Sequence, residues 1–189
     1  MALFNLAYKI TMKNEGGYAN NPNDRGGETW RGIARNFWST WSGWKIIDAI
    51  KAQHPASLNA ALGANTDLET QVLAFYKQNF WDTEALDSIQ DQQLANQLFD
   101  TAVNMGTGIA SKFLQQGINV LNPNSVVVDG KIGVRTIAAA NSLSPEKLYD
   151  AICTLRKQRY LNIIAANPSQ SVFKNSWFSR MTPYLANNA

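Results

Sequence analysis

Two acidic residues near the N-terminus have the types and spacing that cleavage of a glycosidic bond requires. Glu15 follows an apolar helical pattern and precedes Gly16-Gly17, and Asp24 comes nine residues later in a polar, glycine-rich stretch. Hydrolysis of a sugar acetal needs one carboxyl group that protonates the leaving oxygen and a second group that supports a water or the developing positive charge. Glu15 is therefore the candidate general acid and Asp24 its candidate partner.

The neighbouring residues predict different protonation states for the two acids. A helix over residues 3–14 would end at the glycines, and the partial negative charge at its carbonyl end disfavours an ionised Glu15. Asp24 adjoins Arg25 and backbone donors, which favour the anion. Thr29 is placed to hold a water between the acids. A solvated acid at a helix end and a turn-forming Asp explain the same residues, and spacing alone favours this plainer interpretation.

A longer run of sequence favours the catalytic interpretation of the two acids. Residues 14–34 contain Asn-Glu-Gly-Gly-Tyr and Asn-Asp-Arg-Gly-Gly-Glu-Thr-Trp-Arg-Gly-Ile-Ala, which resemble the N-terminal signature of glycoside hydrolase family 108. The members of that family are N-acetylmuramidases that act on peptidoglycan. Residues 75–82, 99–106 and 128–133 resemble later blocks of the same family, in the same order. The likeness covers about residues 8–165.

The resemblance implies a role for each acid. Glu15 occupies the catalytic Glu of the family's Glu-Gly-Gly-Tyr motif. The family's Asp-Pro-Gly-Gly-x-Thr motif matches residues 24–29, except that Arg25 replaces the proline, which leaves the direction of the Asp24 side chain open. Phage-type lysozymes have a similar Glu, Asp, Thr order. The implied activity is hydrolysis of the β-1,4 bond between N-acetylmuramic acid and N-acetylglucosamine, with Glu15, Asp24 and Thr29 in the catalytic site.

Two other functions stay open on the sequence. A lytic transglycosylase acts on the same bond with one Glu but lets the substrate's own hydroxyl attack, so its product ends in an anhydro sugar. A non-catalytic peptidoglycan-binding or secretion accessory protein on the same fold would bind sacculi without clearing them. Product analysis and clearing assays separate the three.

Aromatic and polar residues are predicted to contact the sugar chain. Tyr18 and Trp30 flank the acids and are the first candidates for stacking on sugar rings, with Tyr76 as a third. Asp100 and Asn104 stand four residues apart on one helix face among apolar neighbours, where polar groups need partners or a cleft. A wall of the sugar groove and a buried helix-to-helix hydrogen bond are both open for this pair.

Composition indicates an enzyme-sized chain with a packed core. The 189 residues are 45% hydrophobic and 16% charged, and they include six Trp, six Tyr and eight Phe, too much aromatic surface for a disordered chain. The net charge of +3 suits an anionic cell-wall polymer and nucleic acid equally, and solubility explains it without either partner. No Lys/Arg stripe interleaved with aromatic residues is present, so nucleic-acid binding is not expected. Stable membrane insertion is not expected either, because no run approaches about 18 apolar residues.

The single Cys153 and the single His54 argue against other chemistries. One cysteine permits no internal disulfide, and Cys153 falls in a helical pattern that favours a core position. A lone histidine lacks the partners of a zinc site or a Ser-His-Asp triad. Neither a metal nor another cofactor is expected.

Hydrophobic periodicity predicts a mainly α, single lysozyme-like globule with little or no β-structure. The expected helices span residues 3–14, 66–81, 91–105, 108–121, 134–142, 145–166 and 171–181, with shorter ones within 30–54. A capping box of Thr66 and Glu69 is expected to begin the helix over residues 66–81. Residues 126–128 are the only strand-like stretch.

The resemblance divides the chain into a lysozyme-like catalytic segment, residues 1–97, and a helical C-terminal segment, residues 98–189, that resembles a peptidoglycan-binding domain. The two are expected to pack into one globule. In the second segment, the run Asp129-Gly130-Lys131-Ile132-Gly133 with Thr136 looks like a peptidoglycan-binding signature. Asp-Gly is also a common turn, and Thr136 could merely cap a helix.

The N-terminus has no basic segment followed by an apolar one. The protein is therefore expected to be made in the cytoplasm without a Sec signal and to act on the cell wall. A holin or a secretion system would deliver it to glycan strands of peptidoglycan, its expected partner. The chain is expected to be a monomer.

Overall fold

The computed structural model describes residues 1–14, 16–21 and 26–185. Within these residues the chain forms nine α-helices, short 3-10 and π-helical turns, and one three-stranded sheet. The prediction of a mainly α fold is confirmed. None of the helices in these ranges is both long enough and apolar enough to span a membrane.

The chain divides into two compact units. Unit 1 comprises Met1–Tyr8 and Asn79–Ala189, and unit 2 comprises Lys9–Gln78. The predicted segment boundary between residues 97 and 98 falls inside a helix of unit 1, and the division into segments 1–97 and 98–189 stays a prediction.

Unit 2 combines a small antiparallel sheet with three helices in its described part. Its elements are β1 (Ala19–Asn20), β2 (Glu28–Trp30), β3 (Ile33–Ala34), α2 (Gly43–Lys51), α3 (Leu58–Gly63) and α4 (Thr66–Tyr76). Strand β2 is central, and its Thr29 pairs with Ala19 and Ala34. Arg31 and Gly32 form the β2–β3 turn with φ angles of 48° and 79°, a conformation that is natural for glycine and uncommon for arginine.

Aromatic packing holds unit 2 together. The rings of Trp38 and Trp41 stand edge-on to Phe75, with centroid distances of 4.9 and 6.0 Å. Such pairs contribute about 0.5–1.5 kcal/mol each beyond the area they bury. The residues buried with them include Trp30, Ile33, Trp44, Ile47, Leu68, Val72 and Tyr76.

Helix α4 begins at Thr66, as predicted, but its cap differs. Oδ1 of Asn65 accepts a hydrogen bond from the amide of Leu68 at 2.8 Å, which makes Asn65 the N-cap. The predicted capping box of Thr66 and Glu69 is therefore wrong, because Asn is a strong N-cap residue one position earlier. After Tyr76 the chain continues as a π-helix, Lys77–Asp82.

Helix α1 (Phe4–Thr11) continues as a 3-10 turn over Met12–Asn14, which confirms the helix predicted for residues 3–14. Phe4, Ala7 and Thr11 are buried. Helical periodicity predicts one apolar face that carries Leu3, Leu6, Ala7 and Ile10. In the structure Leu3, Leu6 and Ile10 are 61%, 48% and 52% exposed, so only Ala7 of that face lies in the core.

Unit 1 is built of longer helices. They are α5 (Gln92–Met105), α6 (Thr107–Leu121), α7 (Val134–Ser142), α8 (Pro145–Ala166) and α9 (Lys174–Phe178). Helices α5, α6 and α8 pack against one another and form its core. The bounds predicted for α5 to α8 are confirmed to within one residue. Gly106, with a φ of 91°, is the only residue between α5 and α6.

Residues 126–128 form no strand, so that prediction is wrong. The side chain of Asn119, on α6, bonds to both backbone groups of Val126: its amide donates to the Val126 carbonyl (2.8 Å), and its oxygen accepts from the Val126 amide (3.1 Å). A strand partner would need those same groups. The three strands lie instead within residues 19–34.

Candidate functional site

Both acids of the predicted catalytic pair, Glu15 and Asp24, lie outside the described residues. Their neighbours in sequence are described: Gly16–Asn21 follows Glu15, and Gly26 onwards follows Asp24. The described part of the site therefore consists of β1, β2 and the helices of unit 2 that contact them.

Glu28, on β2, is the centre of a charged cluster in unit 2. Its Oε1 accepts hydrogen bonds from the Tyr18 hydroxyl (2.7 Å) and from Nζ of Lys51 (2.6 Å). Its Oε2 lies 2.6 Å from Nε of Arg35. Arg35 also donates two hydrogen bonds to Asp48, at 3.1 and 2.6 Å. The cluster ties the sheet to α2, which carries both Asp48 and Lys51.

These contacts set the charge of the cluster. Burial by itself would raise the pKa of Glu28, but the hydrogen bonds from Lys51 and Tyr18 and the charge of Arg35 outweigh it and lower that pKa. Burial and the hydrogen bond to Glu28 raise the pKa of the Tyr18 hydroxyl, which keeps its proton. Glu28 is thus an anion at neutral pH and is unsuited to donate a proton.

Tyr18 is tethered twice. Besides the bond from its hydroxyl to Glu28, its backbone amide donates to Oδ1 of Asn59, on α3, at 2.7 Å. Gly17, just before it, lies so close to Asn59 that a Cβ there would collide with the Asn59 side chain. Gly17 and Tyr18 are therefore held against β2 and α3.

The other predicted residues of unit 2 occupy different positions. Thr29 is half-buried at the centre of the sheet, and strand alternation directs it away from the face that carries Glu28. Trp30 is 2% exposed, which favours a packing role over sugar stacking. Tyr76 is 3% exposed, and its hydroxyl donates to the carbonyl of Arg31 at 2.7 Å. Tyr76 thereby supports the β2–β3 turn.

Asp100 and Asn104 lie on α5 in unit 1. The Asp100 carboxylate is 2.6 Å from Arg156, on α8, and 2.9 Å from Arg180. The Asn104 amide donates to the backbone carbonyl of Asp100 at 2.7 Å. These bonds favour the helix-to-helix alternative for Asp100, and a sugar-binding role for the pair stays a prediction.

A second carboxyl group of unit 1 has no cation beside it among the described residues. Glu84 is 2% exposed, and the hydroxyl of Ser111 lies 2.9 and 2.8 Å from its two oxygens. Burial raises the pKa of Glu84 to about 7. Although such a pKa is typical of general acids, a side chain this deeply buried cannot reach a polysaccharide.

A groove of about 730 Å³ on unit 1 surrounds the predicted peptidoglycan-binding signature. Gln115, on α6, holds the turn beneath it: its amide donates to Asp129 (2.8 Å) and to the Lys131 carbonyl (2.9 Å), and its oxygen accepts from the Gly130 amide (2.9 Å). Gly130 has a φ of 77°, and a Cβ there would lie 3.2 Å from a backbone oxygen of Gly108. The turn needs glycine at this position.

The sequence did not indicate the parts that organise these two sites. Glu28 occupies the variable position of its motif, and Lys51 reaches it from 23 residues away. Gln115 stands in an ordinary helical pattern. No three His, Cys, Asp or Glu side chains within the described ranges are arranged to hold a metal ion.

Comparison with known proteins assigns the class. Residues 8–106 match the family model described as glycosyl hydrolase 108, more than half of the chain, and the chain belongs to that family. Residues 109–182 match a model described as a predicted peptidoglycan domain. The protein is a glycoside hydrolase, and its substrate is peptidoglycan. The resemblance predicted from the motifs is confirmed.

One solved structure is similar over nearly the whole chain. The structure of Brucella abortus SagA is 26% identical, with a TM-score of 0.62, and the match covers 94% of this chain and 88% of that one. No curated protein matches this sequence.

Proposed function

We propose that this protein is an N-acetylmuramidase that hydrolyses the β-1,4 bond between N-acetylmuramic acid and N-acetylglucosamine, with Glu15 as general acid. The observation that carries the proposal is the family match over residues 8–106, which includes Glu15 within Asn-Glu-Gly-Gly-Tyr. Asp24 is the proposed partner, which orients a water together with Thr29 or stabilises the oxocarbenium charge.

The described carboxyl groups of unit 2 support Glu15 by elimination. A general acid must hold a proton at the working pH. Glu28 is kept anionic by Lys51 and Arg35. Hydrogen bonds from Arg35 also lower the pKa of Asp48. The remaining described acids of this unit are both on α4: Asp67, which is exposed, and Glu69, which lies 3.9 Å from Arg31.

The Glu28 cluster has a positioning role in this proposal. Tyr18 is three residues after Glu15, and it is held by its hydroxyl to Glu28 and by its amide to Asn59. A general acid must be placed within hydrogen-bonding reach of the leaving oxygen, and small displacements cost activity. In this proposal the cluster acts by holding Tyr18, three residues after Glu15.

The test is a Glu15→Gln variant assayed for clearing of purified peptidoglycan. Loss of the proton donor should reduce the rate by about 10²- to 10⁴-fold while the melting temperature stays nearly unchanged. Glu69→Gln, the same change elsewhere in unit 2, should keep its activity. Wild-type clearing by Glu15→Gln would overturn the assignment.

Asp24→Asn tests the partner. A smaller loss than in Glu15→Gln is expected if Asp24 only orients water, and an equal loss would make it an obligate partner. Mass spectrometry of the released muropeptides distinguishes the reaction: reducing ends support hydrolysis, and anhydro ends would identify a transglycosylase. A separation of about 6.5–9.5 Å between the two carboxyl groups would give inversion and about 5–5.5 Å retention.

Delivery and assembly belong to the same proposal. A holin or a secretion system would bring the protein to the wall, where it would act as a monomer. Light scattering on the purified chain and lysis assays with and without a co-expressed holin test these two parts.

A further inference from the structure

We propose that the groove at the start of α7 is a carboxylate-binding site that holds the peptide stem of peptidoglycan. The inference rests on the proposed function only in its choice of polymer. It assigns to unit 1 a ligand chemistry different from that of the glycan cleaved by the enzyme.

The first turn of α7 presents unused backbone donors. Its first hydrogen bond runs from the amide of Ile137 to the carbonyl of Gly133, at 3.1 Å. The amides of Val134, Arg135 and Thr136 therefore have no partner within the helix. Gly133, the N-cap, supplies no side chain to cover them. Open amides at a helix start bind anions through direct hydrogen bonds and through the helix dipole.

The side chain of Thr136 provides an independent indication of a ligand. Thr136 is only 5% exposed, and it lines the groove. Its hydroxyl forms no hydrogen bond with any residue in the described ranges. The hydroxyl opens onto the groove, where a ligand would supply its hydrogen-bond partner.

Two cations add to the attraction for an anion. Lys131 and Arg135 are exposed and line the groove, and neither forms an ion pair within the described part of the chain. The one acid of the lining, Asp129, is engaged by the turn: its Oδ1 accepts from Gln115 and from the Lys131 amide. The lining thus carries a net positive charge whose donors remain available.

Gly133 leaves open space at the start of α7. Its φ of −123° and ψ of 175° suit any residue, and a Cβ there would meet nothing within 4 Å. The turn therefore does not require glycine. Glycine is an ordinary N-cap residue, and the Gly133→Ala variant tests whether a ligand uses the space it leaves.

The apolar part of the lining favours a peptide over a glycan. Val127 and Val134 border the groove and are 78% and 87% exposed. Stem peptides combine carboxylates with alanine methyl groups, whereas the ring substituents of the glycan are mostly neutral hydroxyl and acetamido groups. A groove with cations, open amides and valine side chains matches the peptide.

The test is a titration of the full-length, isotope-labelled chain, followed by NMR. The probes are a free stem tetrapeptide, diacetylchitobiose and inorganic phosphate. The tetrapeptide should shift the amides of residues 131–137, diacetylchitobiose should not, and phosphate should bind more weakly at the same amides. Phosphate binding as tight as the peptide, or no shift with the peptide, would overturn the proposal.

Single variants sharpen the test. Arg135→Ala and Lys131→Ala should each weaken peptide binding by up to about tenfold, since each removes a charged donor. Thr136→Val removes only a hydroxyl, and Gly133→Ala adds only a methyl group, and both should weaken binding. Arg159→Ala, an exposed arginine on α8, is the matched control. Peptide affinity in Arg135→Ala equal to that of Arg159→Ala would contradict the site.

Hydrolysis is measured separately on glycan strands whose stems have been removed. Binding of the peptide without cleavage of any glycan would refute the proposed muramidase activity and leave the groove assignment intact. Cleavage of glycan without peptide binding would refute the groove assignment and leave the muramidase proposal intact.

Discussion

Glu28 in unit 2 and Glu84 in unit 1 both have little exposed surface, yet their pKa values move in opposite directions. Glu28 has two cations and a tyrosine hydroxyl around it, and its pKa is lowered. Glu84 has one serine hydroxyl, and burial raises its pKa to about 7. The comparison shows that cationic and hydroxyl partners can outweigh burial, as at Glu28, and that burial prevails where the described residues place no cation, as at Glu84.

The difference also separates two uses of an acid. In unit 2 a permanent charge ties strand β2 to helix α2. In unit 1 a carboxyl group that is largely neutral below pH 7 packs within the core. Asp100 also lies in unit 1, but Arg156 and Arg180 pair with its carboxylate. The contribution of this pairing to stability can be measured.

The largest loss of stability is expected for Asp100→Ala. Arg156 is fully buried, with an exposure of 0%, and would lose its carboxylate partner. Removal of one member of a buried ion pair costs about 3–5 kcal/mol of unfolding free energy. Urea denaturation measures this change. Asp150→Ala, an exposed aspartate on α8, should change stability little, and equal stability of the two variants would show that the pair is dispensable.

Glu84→Gln should stabilise the protein, and more so at higher pH. Between the ordinary value of 4.5 and about 7, the folded chain keeps a proton that the unfolded chain has released. The wild type therefore loses stability as the pH rises through this window, by up to about 3 kcal/mol above it. Gln carries no charge and escapes that loss.

Melting temperatures at pH 5 and pH 8 check this prediction. The gap between Glu84→Gln and wild type should widen at pH 8, whereas Glu146→Gln, on the exposed start of α8, should follow the wild type at both pH values. A variant that is less stable than wild type at pH 8 would mean that the glutamate is charged and paired in the fold.

Glu28→Gln should destabilise the protein, in contrast to Glu84→Gln. Gln can still accept from Tyr18 but no longer attracts Lys51 and Arg35, so a loss of about 1–3 kcal/mol is expected near neutral pH. Because the pKa of Glu28 is lowered on folding, the wild type loses this contribution as the pH falls below 4.5.

The unfolding free energies of the wild type and Glu28→Gln should therefore converge as the pH falls below 4.5. A reduced clearing rate that Glu69→Gln does not share would support the positioning role of the cluster. Unchanged clearing by Glu28→Gln would limit the cluster to stability.

Local signals made most helices predictable. Asp91 and Ser144 cap α5 and α8 as their sequence neighbours suggest, and Gly106 and Asn122-Pro123 end α5 and α6. Caps and breakers act over a few residues, so sequence patterns capture them. The cap of α4 was misassigned because Asn65 and Thr66 are both plausible caps and only the structure shows which side chain bonds to Leu68.

The sheet and the two sites depended on distant partners. Strands of two or three residues are too short for alternation to be visible, and Thr29 finds its register through Ala19 and Ala34. The ion pair of Glu28 with Lys51 and the bonds from Gln115 to the Asp129 turn join residues with no local relation. Sequence patterns therefore indicated the motifs but not the side chains that hold them in place.

The turn at Gly106 is an unsuitable junction for chimeric proteins made from this chain. The two family matches meet at this turn, ending at residue 106 and beginning at residue 109. Yet α5, which precedes the turn, packs with α6 and α8 and buries Leu98 and Phe99 completely. A chimera spliced at the turn would leave that apolar helix without its neighbours. A transferable segment would instead have to start upstream, near Asn79, where unit 1 resumes, and it would still lack Met1–Tyr8 of that unit.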